Sequence, residues 1–73
     1  MKYIITGSFK EYKDYLERNR LNPGEYKYVS DITVLRNLNK DSQIIFTGRY
    51  YSRNDISEII DFMRSSKMKS FNG

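Results

Sequence analysis

Tyr3-Ile4-Ile5-Thr6-Gly7-Ser8-Phe9-Lys10-Glu11 sets a strand, a turn and a helix start in immediate succession. Tyr3 to Thr6 is a short apolar, β-branched run of the kind buried on both faces of a parallel sheet. Gly7 ends it. Ser8-x-x-Glu11 matches a capping box, in which the serine and the glutamate each satisfy a free backbone N–H of the first helical turn. Phe9, Tyr12 and Leu16 follow at helical spacing with charged residues between them, so a helix is expected over about residues 9 to 19.

The same succession recurs twice downstream. Leu21-Asn22-Pro23-Gly24 is a turn, and Tyr26-Lys27-Tyr28-Val29 reads as a second strand whose alternation fits a sheet edge. Ser30 or Asp31 caps a short helix carrying Ile32, Leu35 and Leu38, and Asn39-Lys40-Asp41-Ser42 breaks it. Gln43-Ile44-Ile45-Phe46-Thr47 is the third strand, closed by Gly48. A loop, Arg49-Tyr50-Tyr51-Ser52-Arg53-Asn54, leads to a helix capped by Asn54 or Asp55, with Ile56, Ile59, Ile60 and Met63 along one side. Strands and helices alternating with short loops predict an α/β fold. The expected architecture is a minimal three-layer βαβαβα unit with a three-stranded parallel sheet in the order 2-1-3. One domain is expected over residues 1–66, followed by a polar basic tail over 67–73.

Composition narrows the function. Seventy-three residues make one domain with a thin core, since a chain this short buries only roughly 60% of its unfolded surface. Histidine and cysteine are both absent, which removes disulfides, zinc sites and Ser-His or cysteine nucleophilic catalysis. No cofactor and no metal are expected, and the chain reads as a binding protein rather than an enzyme. No stretch approaches the ~20 apolar residues of a membrane span, and the first apolar run is too short for a signal peptide. A cytoplasmic location follows as the expectation. The net charge of +4 is unevenly placed: residues 1–63 carry ten basic and nine acidic side chains, while Arg64, Lys67 and Lys69 face no acid in the final segment.

Three groups of residues are candidates for function. Thr6-Gly7 and Thr47-Gly48 end strands that the order 2-1-3 makes neighbours, and ligands in open α/β sheets bind outside such ends. Gly7, Ser8 and Gly48 are therefore candidate phosphate contacts, although glycine serves equally as a plain strand-to-helix turn and no GxxxxGK[ST] or GxGxxG motif is present. The loop supplies Arg49, Tyr50, Tyr51 and Arg53, a mixture common where proteins anchor partners. The same loop with Arg64, Lys67 and Lys69 could contact nucleic acid. The carboxylates lie where helix stability explains them, and Ser8 has no base to activate it.

The second half of the chain resembles a group of small bacteriophage-encoded, Rossmann-like α/β proteins. The resemblance rests on Tyr28-Val29, Leu35-Arg36-Asn37-Leu38, Thr47-Gly48 and Tyr51-Ser52-Arg53-Asn54-Asp55-Ile56, within about residues 26–60. Asn37 stands where the group carries glycine, and Asn54 where it carries proline. The resemblance implies a phage origin and no shared catalytic residue. The expected function is that of an accessory protein that binds and modulates a host or phage protein. Nucleic-acid binding through the tail and loop is the alternative, and a remnant of a nucleotide-binding domain the second. A homo-oligomer is compatible with so small a core.

Overall fold

The computed structural model describes residues 2–38 and 41–72; Asn39 and Lys40 of the expected break, and Gly73 of the expected tail, lie outside them. The elements run β1 (Lys2–Ile5), α1 (Phe9–Arg18), β2 (Tyr26–Tyr28), α2 (Ile32–Arg36), β3 (Gln43–Phe46), a 3₁₀ turn (Tyr50–Ser52), α3 (Ile56–Ser66) and β4 (Lys69–Asn72). All pairings are parallel, in the order β2-β1-β3-β4. The expected 2-1-3 core is present, but the sheet has four strands, not three. The fourth is made from the segment expected to be a tail.

The reason β4 escapes a sequence reading is local. Lys67 ends α3 in the left-handed region (φ 55°), and the N–H of Met68 reaches back to the carbonyl of Met63 at 3.1 Å. That is a Schellman turn, which normally announces itself with glycine. Here a lysine holds the position, and Met68 packs against the core to fix it. The four β4 residues are all exposed, so neither periodicity nor apolarity marks them as a strand. Arg20 (φ 53°) ends α1 in the same way, with Leu21 N–H bonded to Leu16 and the Leu21 side chain against the core.

Two core layers flank the sheet. Ile5, Val29 and Ile44 meet Leu35 of α2 and Ile59 and Met63 of α3 on one face. On the other, Ile4 lies under Tyr12 and Leu16 of α1. The Tyr12 hydroxyl donates to the Tyr26 carbonyl at 2.7 Å, tying α1 to the edge strand β2. Burial pushes its phenol above the ordinary 10.0. The folded state therefore holds that proton more tightly than the unfolded chain. Its contribution is complete below pH 10.0 and is lost as pH rises through the raised value. Tyr12→Phe is expected to cost about 1 kcal/mol at neutral pH and to flatten the alkaline fall, read from denaturant midpoints between neutral and alkaline pH.

Candidate site at the carboxyl end of the sheet

The parallel order brings the carboxyl ends of β1 and β3 together, and their two glycine turns touch. A methyl group on Gly7 would stand 2.7 Å from the Arg49 carbonyl oxygen, which is why no side chain is accommodated there. Gly48 adopts positive φ (64°) beside it.

The backbone N–H groups at this junction hold an anion, and that anion is the chain's own. Glu11 Oε1 accepts from the N–H of Gly7 at 2.8 Å and from that of Arg49 at 3.0 Å. The capping box is therefore only half formed. The Ser8 hydroxyl does accept from the N–H of Glu11 at 3.3 Å, but the Glu11 carboxylate reaches past the helix start to staple the two turns. Thr6, fully buried, donates its hydroxyl to the Ser8 carbonyl at 2.6 Å and braces the same corner. A phosphate approaching Gly7 and Gly48 would have to displace Glu11.

Arg53 is the second organiser. Its side chain is 7% exposed and lies inward across the strand ends. Nη1 donates to the carbonyl of Val29 at 2.7 Å and of Thr6 at 3.3 Å, while Nη2 donates to that of Ser30 at 2.8 Å. Asp55 completes the set, with Nε–Oδ1 at 3.0 Å and Nη2–Oδ2 at 3.2 Å. Asp55 occupies the cap position of α3, yet its carboxylate serves Arg53 and makes no side-chain cap bond. The guanidinium lies 5.9 Å from the Tyr28 ring, which itself meets Phe9 edge-on at 5.4 Å. Arg53 thus gathers β1, β2 and the loop after β3 into one rim.

What this rim presents outward differs from residue to residue. Tyr50 is half-buried, packed on Phe46 at 5.0 Å. Tyr51 is 68% exposed, held edge-on to Tyr50 at 5.6 Å. Arg49 and Gly48 are exposed, and the Arg49 carbonyl accepts from both the N–H and the hydroxyl of Ser52. Phe9, exposed at the start of α1, stands at the same end of the sheet. The loop's sequence offers all four of Arg49, Tyr50, Tyr51 and Arg53 to a partner. Structurally, Arg53 is turned into the molecule, and Tyr51 and Arg49 are the outward pair.

Arg64, Lys67 and Lys69 lie at the other end. Lys69 pairs with Gln43, the first residue of β3, whereas Arg49 follows that strand's last residue. The cations of the loop and of the final segment therefore do not form one surface. Among the described residues, no cluster of acidic side chains could hold a metal ion and no helix is long and apolar enough to cross a membrane.

Fold and rim together define a small, four-stranded parallel α/β domain with a braced polar-aromatic rim at the carboxyl end of its strands. No protein family, curated protein or solved structure matches the chain.

Proposed function

We propose that this domain is a non-catalytic accessory protein that docks a partner protein on the Arg49–Tyr51 rim. The observation that carries the reading is the contrast within one loop. Tyr51 is 68% exposed, while the backbone beneath it is fixed by Glu11 and by the inward Arg53. A large aromatic on a pre-ordered loop loses little entropy on binding, and arginine and tyrosine are the residues that most often dominate protein interfaces. The Glu11 and Asp55 carboxylates are engaged in holding the rim together, which favours a binding role over a catalytic one. By its resemblance to small phage proteins, the partner is a host or phage protein met in the cytoplasm of an infected bacterium.

Arg49→Ala/Tyr51→Ala tests this without touching the braces. Affinity capture from infected-cell lysate is expected to recover a partner with the native domain and to lose it at least tenfold with the double variant. Thermal stability should be the same for both. Equal recovery by the two proteins would dismiss the rim as the contact surface.

The exposed Arg64, Lys67 and Lys69 favour a second reading, in which nucleic acid meets the opposite end of the domain. Only that end, and not the loop, would then change the salt dependence of binding when its lysines are replaced.

A further inference from the structure

β4 is the outermost strand, so among the described residues one side of its backbone has no strand beside it. All four of its residues are exposed, Phe71 by 48%. The registers Gln43↔Lys69 and Ile45↔Phe71 put Lys69 and Phe71 on the same side of the sheet as α1. The core residues of α1 rest over β1 and β2, with Ile45 of β3 packed at the margin of their cluster. Beyond Ile45, the residues of β4 are exposed. There, a shallow hollow of about 320 Å³ runs between Tyr15, Ile45 and Phe71.

We propose that β4 pairs antiparallel with β4 of a second copy, about a two-fold axis normal to the sheet, giving one eight-stranded sheet. The occupant is argued from self-complementarity. Residues directly opposite in an antiparallel pair point to the same side, and this two-fold axis keeps every residue on its own side. Lys69 and Phe71 can therefore face each other across the axis when Ser70 meets Ser70. Each ammonium then lies against the other copy's aromatic ring, an attractive pair made twice. A lysine on an edge strand ordinarily repels a second strand. In this register it meets an aromatic ring instead of another lysine. The two exposed β4 margins also become continuous, so Phe71 of both copies lies in one sheltered strip beside Ile45.

The area within reach places the contact in the weak, transient class. Covering a tenth of each copy's 5114 Å², the usual share for a small protein, would bury about 1,000 Å² in all, at the lower limit of specific interfaces. Self-association is therefore expected between about 10 μM and 1 mM.

Sedimentation of the intact chain across that range tests the pairing. The native protein should pass from monomer to dimer. Phe71→Lys sets lysine against lysine twice and should raise the dissociation constant at least about tenfold. Lys69→Glu/Phe71→Lys sets glutamate against lysine twice and should return it to within about threefold of native. Both substitutions are on exposed positions, and circular dichroism should be unchanged. A native chain that stays monomeric at 1 mM overturns the inference and leaves the edge to a strand from another protein. So does a dimer indifferent to Phe71→Lys, or one that the double variant fails to restore.

Discussion

Arg53→Ala is expected to remove about 3 kcal/mol or more of folding stability. The guanidinium holds several backbone carbonyls and one carboxylate at once. It donates to carbonyls of Thr6, Val29 and Ser30 and is paired twice with Asp55. Hydrogen bonds involving a charged group contribute about 1.5–3 kcal/mol each in mutational series, but those sharing one side chain are not additive. Truncation also strands carbonyls that face a side chain only 7% exposed, leaving water a narrow way in. Proteins of this size have only about 5–10 kcal/mol in total, so the variant should be close to unfolding at ambient temperature. Arg53→Lys should recover little, because one ammonium cannot reach three carbonyls in a planar fork. Urea titration with an unchanged slope and a sharply lower midpoint is the expected reading. A midpoint shift worth less than about 0.5 kcal/mol would show that the strand ends hold together without Arg53.

The contrast between that role and the loop's appearance in sequence shows where legibility stops. Gly7, Pro23-Gly24 and Gly48 punctuate the chain at its turns, so three strands and three helices are legible directly. Arg53 gives no such signal. It sits among polar loop residues, and its inward course is set by carbonyls of Val29 and Ser30, 24 and 23 residues earlier in the chain. Nothing within the loop encodes them. Glu11 is an intermediate case. The Ser8-x-x-Glu11 spacing marks the residue, but the motif points to the helix's own N–H, while the N–H it binds across the sheet belongs to Arg49, 38 residues away. β4 was hidden by a substitution of type, lysine where glycine usually makes the turn. In each case local chemistry was readable and the tertiary partner was not. The site is made almost entirely of such partners.

Glu11→Ala and Gly48→Ala are expected to be strongly non-additive, and the size of the coupling measures how far Glu11 alone closes the junction between the two turns. Glu11→Ala removes the shared acceptor of the Gly7 and Arg49 N–H groups. Both turns are near solvent, so water partly replaces it and a cost of about 2 kcal/mol is expected. Gly48→Ala has two separate costs. One is conformational, about 1 kcal/mol for an alanine at φ 64°. The other is steric: a methyl there would stand 2.8 Å from Glu11 Oε1 and 3.2 Å from Glu11 Cδ, and the three nearest atoms all belong to Glu11. Relieving that clash means pushing the carboxylate off its two donors, for a total of about 3 kcal/mol. Once Glu11 is alanine the steric part vanishes and only the conformational cost remains. The double variant should therefore lose about 3 kcal/mol rather than the 5 that simple addition requires, a coupling of about 2 kcal/mol. Gly7→Ala serves as the control, since its methyl would also meet the Arg49 carbonyl at 2.7 Å, and that backbone clash survives removal of Glu11. Denaturant midpoints for the three single and two double variants give both cycles. Equal coupling at the two glycines, or none at Gly48, would mean that the backbone packing of the turns, and not the carboxylate between them, holds the rim in shape.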